Sequence, residues 1–187
     1  MRLNLGCGRN PMPGWVNVDM ADLPGVDCVC DLEAPLPFES DTIDEFVGID
    51  LVEHIRDPLA FMGELYRIAK PDAVCTFVLP YGSSDDAWED PTHRRPYFIG
   101  SWMYFAQPTY YRADYGYRGD WQCEEIALDL REVGDGNLDR LMMEVMALRN
   151  VVERQTVVMR AVKPVRPCDQ SLMVPPSVGF RQSGGES

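Results

Sequence analysis

The chain lacks a Cys-x-x-Cys pair, any long apolar run and an excess of positive charge, and each absence removes a class of function. Its six cysteines, Cys7, Cys28, Cys30, Cys75, Cys123 and Cys168, are scattered, and four fall in strand-like segments. Free thiols in a reducing compartment are therefore expected, in place of a disulfide framework or a zinc cage. No segment reaches the roughly 20 apolar residues of a membrane-spanning helix, and no charged-then-apolar leader opens the sequence. The expectation is a cytoplasmic protein with no membrane association. With 17 Lys and Arg against 30 Asp and Glu, the formal net charge is −13. Non-specific nucleic-acid binding works by cations displacing counterions, so a nucleic-acid partner is disfavoured, though a local basic patch stays open. No internal repeat is visible. What remains is 187 residues, 45% hydrophobic, enough for one globular domain with a substantial core.

The most informative stretch is the first twenty residues. Arg2 to Leu5 reads as a short buried strand that runs into Gly6-Cys7-Gly8. Two glycines around one small residue let backbone N–H groups approach a ligand closely, because no Cβ stands in the way and positive φ is accessible. A second strand, Trp15 to Val18, ends at Asp19, where a carboxylate can accept hydrogen bonds from ribose hydroxyls. This is the pattern of a nucleoside-cofactor site. It is not the nicotinamide fingerprint, since Pro11 occupies the third glycine position and the acid arrives well before the expected offset of about 20 residues.

Leu3-Asn4-Leu5-Gly6-Cys7-Gly8 and Asp19 resemble the first motif and partner acid of class I S-adenosylmethionine-dependent methyltransferases, and more closely those of short bacterial and phage proteins of the methyltransferase type 11 group. The resemblance runs from Leu3 to about Phe105 and returns weakly at Asn150 to Pro164. It implies an α/β fold: a single Rossmann-like domain over residues 1–164, with a mostly parallel sheet and an antiparallel last strand. It also implies S-adenosyl-L-methionine as cofactor, held by Asn4, Gly6, Cys7, Gly8, Asp19, Met20, Asp31, Leu32 and Asp50. In that family an Asp at the place of Asp31 bonds the adenine amino group, and the next apolar residue, here Leu32, packs on the ring. Taken alone, an Asp before a proline-rich loop is a turn residue.

Arg9 to Gly14, with its prolines, cannot hold a full crossover helix, so the first helix is expected to be shortened or missing. No helices precede the first strand either, and cover for the cofactor is expected from elsewhere in the chain or from a second subunit, which leaves a homo-oligomer open. Val26 to Leu32 reads as a third strand and Ile43 to Ile49 as a fourth, ending at Asp50-Leu51-Val52-Glu53-His54. Asp57 caps a helix that starts at Pro58, carries Leu59, Met62, Leu65, Tyr66 and Ala69 on one face, and stops at Lys70-Pro71-Asp72. Ala73 to Leu79 reads as a central strand covered on both faces. Residues 82–117 are expected to form a lid at the carboxyl edge of the sheet. Trp121 to Val133 reads as a strand, Leu138 to Leu148 as a Met-rich helix and Val151 to Val162 as the last strand. Residues 165–187 read as a flexible C-terminal tail.

His54 and His93 are the candidate bases, since an imidazole ordinarily titrates near neutrality; both could equally lock turns by hydrogen bonds. Tyr81, Arg94, Arg95 and Tyr97 are the candidate substrate contacts, although the arginines could simply pair with Asp85, Asp86, Glu89 or Asp90. A magnesium site built from Asp85, Asp86, Asp90 and His93 is too loosely clustered to expect, so no metal is assigned. The reading is a methyltransferase acting on O or N of a small or modestly sized molecule. Alternatives are a nucleotide or nucleic-acid modifying enzyme and a non-catalytic binding subunit that keeps the fold. Against base methylation of DNA stand two absences: Asp50-Leu51-Val52-Glu53 is not an Asn/Asp-Pro-Pro-aromatic motif, and Pro-Cys occurs only at Pro167-Cys168.

Overall fold

A computed structural model describes residues 1–131 and 137–182 of the chain. Eight strands form one sheet in the order β3-β2-β1-β4-β5-β7-β6-β8. They are β1 (Arg2–Leu5), β2 (Val16–Asp19), β3 (Cys28–Val29), β4 (Ile43–Ile49), β5 (Ala69–Pro80), β6 (Trp121–Leu130), β7 (Val152–Ala161) and β8 (Ser177–Gln182). β1 to β5 are mutually parallel, β7 runs antiparallel between β5 and β6, and β8 lies parallel to β6 at the edge. The strand order reverses beside β1, which places a crevice at the carboxyl ends of β1 and β4, where open α/β sheets bind ligands.

Three helices punctuate the sheet: α1 (Pro58–Ile68), α2 (Asp86–Glu89) and α3 (Leu138–Ala147). α1 begins as its sequence dictates, with the Asp57 carboxylate accepting from the Ala60 N–H and Pro58 in the first turn. It buries Phe61, Met62, Leu65 and Ile68 against the sheet. Between β1 and β2, β2 and β3, and β3 and β4 the described chain contains no helix. The missing first helix is thus one of three such gaps; over β1 and β2 the loop at residues 10–12 covers the second face, where Asn4 and Asn17 are buried, and across β4, β5 and β7 that face stays partly open.

Register shows this directly. Leu3 and Leu5 on β1 lie beside Phe46 and Gly48 on β4, which lie beside Cys75 and Phe77 on β5, then Met159 and Val157 on β7. All of these apolar side chains are buried. The alternate residues Val47, Val74, Thr76, Val78, Thr156 and Val158 are only half-buried, and Ile49 is exposed. β5 was expected to be covered on both faces; its continuous apolar run instead serves one packed face and one open one.

Two other expectations change. Of the supposed lid, the part from Phe98 onward is a structural layer: 3₁₀ turns at Ile99–Phe105 and Gln107–Tyr111 lay Trp102, Phe105 and Tyr110 into the core. The Trp102 indole stacks on Tyr97 and Phe77, and its Nε1–H donates to Gln155 Oε1 at 2.9 Å. This segment replaces the helix that would otherwise follow β5, because its aromatic residues bury as much area as a helical face. The supposed tail is also tied down as far as residue 182. β8 pairs along β6, with Val178 and Phe180 against the core. Residues 183–187 of the tail, and the end of the strand expected to reach Val133, lie outside the described residues.

Arg166 anchors the start of that segment. Asp120 is fully buried, and its carboxylate accepts from Arg166 Nε at 2.8 Å and Nη2 at 2.7 Å, from the Arg166 amide, and from the Gln107 amide. Arg166→Ala leaves a buried carboxylate without its cation and is expected to cost about 3–5 kcal/mol in chemical denaturation. Removing the exposed Arg118–Asp114 pair should leave the denaturation midpoint almost unchanged.

Candidate active site

The glycine turn and the acid of β2 are joined by one hydrogen bond. Gly6 and Gly8 take φ of 63° and 52°, and the Gly8 N–H donates to Asp19 Oδ2 at 2.8 Å. The other carboxylate oxygen accepts from the Ala21 N–H at 2.9 Å. Each oxygen keeps a lone pair, so Asp19 is positioned by the backbone and can still accept from hydroxyl groups. A Cβ on Gly6 would meet Leu51 Cδ1 at 2.9 Å, whereas one on Gly8 would meet nothing within 4 Å. Positive φ favours glycine at both positions; at Gly6 a side chain would also displace the end of Leu51, whereas Gly8 faces open space where a ligand can approach. Met20, the residue after Asp19, is 76% exposed.

The other expected cofactor residues divide. Asn4 is a structural residue. Its buried amide donates to Asn17 Oδ1 at 2.9 Å and to the Asn10 carbonyl at 3.1 Å, fixing the loop that stands in for the first helix. Cys7 is buried, and its N–H closes onto the Val18 carbonyl at 3.1 Å. Asp31 is exposed, with one oxygen engaged by the Glu33 N–H at 2.9 Å and the other without a partner in the described structure. Leu32 is buried in the core. Asp50 sits at φ 49° at the end of β4 and pairs with Arg154 Nη2 at 2.5 Å.

Beyond Asp50 a 3₁₀ turn, Val52–His54, brings Glu53 and His54 under the first half of the segment after β5. The Arg94 N–H donates to the Glu53 carbonyl at 2.7 Å, and His54 and His93 meet edge to face with ring centroids 4.8 Å apart. The two candidate bases thus lie together. Glu53, which sequence reasoning treated only as a turn residue, is 3% exposed, and neither carboxylate oxygen has a hydrogen-bond partner. Burial pushes its carboxyl up to about 7 against the pull of its own nearby backbone N–H, which falls short of hydrogen-bond geometry; the Asp50 charge acts upward, and His93 and Arg154 oppose. No signal in the sequence separates this glutamate from an exposed one, because its burial comes from residues 92–94 folding over it.

The expected substrate residues also separate. Tyr81 and Tyr97 are each 3% exposed and pair as an isolated parallel bridge; they are held by packing on Phe98 and Trp102. Arg94 and Arg95 are exposed and do not pair with the acidic residues 85–90. Asp85 is taken instead by Arg149 and Asn150, while Arg95 Nη2 donates to the Arg56 carbonyl at 3.1 Å. Arg95 and Tyr97 border a groove of about 630 Å³ between the start of α1 and the 3₁₀ segment, lined also by Phe98, Tyr104 and Phe105.

Residues 9–77, over a third of the chain, match the family model of a methyltransferase domain. The fold is the one that S-adenosylmethionine-dependent methyltransferases adopt. Solved structures share the fold at low identity. A S-adenosylmethionine-dependent methyltransferase from Thermotoga maritima, described as a possible histamine N-methyltransferase, is 14% identical over 87% of this chain and 81% of its own, with a TM-score of 0.56. A methyltransferase from Archaeoglobus fulgidus is 15% identical over 85% of each chain, at 0.53. A methyltransferase in complex with the Haloferax volcanii Trm112 methyltransferase activator is 16% identical over 86% and 82%, at 0.51. No curated protein matches the sequence.

The raised carboxyl of Glu53 makes a signed prediction for the metal-free protein. Below pH about 4.5 folded and unfolded states are both protonated. As pH rises to about 7 only the unfolded state ionises, so stability falls, by up to about 3 kcal/mol for a shift from 4.5 to about 7. Glu53→Gln should therefore melt above the wild type at pH 8 in chelator-treated buffer, with the gap closing toward pH 4.5. Equal melting points at both pH values would show that the carboxyl is hydrated.

Proposed function

We propose that the chain is an S-adenosylmethionine-dependent methyltransferase acting on O or N of a small or modestly sized molecule. The observation that carries the proposal is the Gly8–Asp19 hydrogen bond at 2.8 Å beside the open space at Gly8. It unites, at neighbouring strand ends, a turn that admits close backbone approach and a carboxylate with accepting capacity to spare. Asp19 would hold the ribose hydroxyls, Gly6 to Gly8 the amino-acid side, and Met20 and the free oxygen of Asp31 the adenine. The cofactor supplies an electrophilic methyl on a sulfonium. The protein's part is to align the acceptor in line with it and to take up a proton where the acceptor must lose one.

His54 and His93 stand where that proton would go, at the end of β4. Arg94 and Arg95, exposed and unclaimed by the nearby acids, suit an acceptor that bears a carboxylate or phosphate, which a guanidinium binds through paired donors. The groove bordered by Arg95 is of the size that binds small molecules. A free nucleotide remains the second reading, favoured by the same two arginines against the chain's overall acidity.

Thermal unfolding with and without ligand tests this. S-adenosylmethionine or S-adenosylhomocysteine at a hundred times its dissociation constant should add about 2.7 kcal/mol of stability, and NAD nothing. Asp19→Ala loses a charged acceptor, worth about 1.5–3 kcal/mol of binding, so affinity should fall by roughly ten- to a hundredfold. Unchanged affinity in the variant, or no stabilisation of the wild type, would remove the carboxylate from a cofactor role.

A further inference from the structure

We propose that Glu53, His54 and His93 form a binding site for one divalent transition-metal ion of the zinc type. One ligand atom from each lies within 4.8 Å of the other two. Ligands at about 2.0–2.2 Å from a tetrahedral ion stand about 3.5 Å apart, so a contraction of about an ångström closes the three around it. Two imidazoles and one carboxylate suit zinc and its neighbours, whereas magnesium and calcium take sets of oxygen ligands.

Two independent features point to a cation. The first is Glu53 itself, whose carboxylate is buried at 3% exposure with both oxygens unpartnered. A buried carboxylate without a donor is costly, and a cation at this place satisfies it. The second is the state of the two rings. His93 Nδ1 lies 3.2 Å from the Ala87 carbonyl, and because a carbonyl only accepts, that nitrogen carries the proton. Thr92 Oγ1 gives its single proton to Asp90 Oδ1 at 2.6 Å and lies 3.0 Å from His54 Nδ1, so it accepts from that ring. Each imidazole is oriented by donation from Nδ1, which leaves Nε2 unprotonated with a lone pair to give; Asp90 Oδ2 lies 3.9 Å from His93 Nε2, beyond hydrogen-bond distance, and adds negative charge beside the site. This is the outer support that metal-binding histidines use, a ring N–H held by a carbonyl or a carboxylate-linked acceptor.

Three protein ligands leave a coordination position open, as in hydrolytic zinc sites. Placed at the carboxyl end of β4, an ion there would occupy the nitrogens that the two histidines would otherwise use as bases, and would replace that proton uptake by holding an oxygen of the acceptor and favouring its ionised form. That use rests on the methyltransferase reading, but the site itself does not.

The test is titration of Zn²⁺ into the full chain after chelator treatment and dialysis. One equivalent should bind saturably. Glu53→Gln, His54→Ala and His93→Ala should each weaken binding at least tenfold, and Thr92→Val, which removes only the support of His54, by about tenfold. The double variant Cys28→Ser with Cys30→Ser should bind as the wild type does, and Co²⁺ should give a visible spectrum free of thiolate charge-transfer bands. Cooperative melting of each variant in chelator establishes that it folds. No saturable binding by the wild type overturns the proposal; so does binding that survives loss of His93 and Glu53, or that disappears with the two cysteines. Stabilisation by S-adenosylhomocysteine is measured in parallel: a chain that binds the nucleoside but no zinc overturns the ion alone, and one that binds zinc but not the nucleoside overturns the methyltransferase reading alone.

Discussion

One-sided burial of the sheet governs this structure, and it follows from chain length. A parallel crossover needs a dozen or more residues to carry a helix back across the sheet, and the links after β1 and β2 are shorter than that and broken by proline and glycine. With no helix to lay down on the second face, the whole apolar content of the strands must be satisfied on the first. α1 alone cannot do this across the width of the sheet. The remainder is supplied by the aromatic 3₁₀ segment after β5, in which Trp102 bridges Phe77 and Gln155, and by Trp121 of β6, which sits edge to face with Phe46 and donates to the Met62 carbonyl at 3.0 Å. Large rings compensate for missing helices because each buries far more surface than an aliphatic side chain.

Where helices are missing, polar side chains take over the work of fixing the loops. Asn17 accepts from Asn4 and from the Met12 amide, and it is held in turn by the Asp27 carboxylate, which also accepts from the Asn17 backbone at 2.8 Å. This chain of hydrogen bonds ties the loop at residues 10–12 to β1 and β2. A helix would orient its N-terminus toward the ligand by its own geometry; a loop must be pinned at several points to present its N–H groups as reproducibly. The same logic holds for Asp19, whose two backbone bonds cost it half of its accepting capacity and in exchange fix its direction.

Much of this was legible in the sequence because it rests on local rules. The glycine turn, the acid ending β2, the Asp57-Pro58 cap, the positions of α3 and β7 and the family resemblance all come from short-range patterns of periodicity, capping and backbone freedom. What was missed depends on contacts between distant parts of the chain. Asn4 reads as a cofactor residue until Asn17, thirteen positions on, claims its amide. Tyr81 and Tyr97 read as substrate contacts, while in the structure Trp102 and Phe98 pack against them. Val74, Thr76 and Val78 read as fully covered because a run of apolar residues says that a strand is buried, not how many of its faces have a partner. The tail read as loose because its prolines are visible, while the β6 edge and the Asp120 carboxylate that hold it are not.

Glu53 shows why the site resists sequence reading most strongly. As a residue type in a turn it is unremarked, and its neighbours Asp50 and His54 attract more notice. Its importance arises only when residues 92–94 fold over it, with the Arg94 amide on its carbonyl, and shut its carboxylate away from water. A fold that merely needed the turn would leave that side chain in solvent, or replace it by an apolar residue of similar size at no electrostatic cost. Keeping a carboxylate there, beside two imidazoles whose Nδ1 atoms are already committed, is a standing destabilisation that the packing of residues 83–97 against the 3₁₀ turn must offset. The cost falls on the ionised form, so it is absent while the carboxyl is protonated and would be offset at higher pH by a cation held between the three side chains.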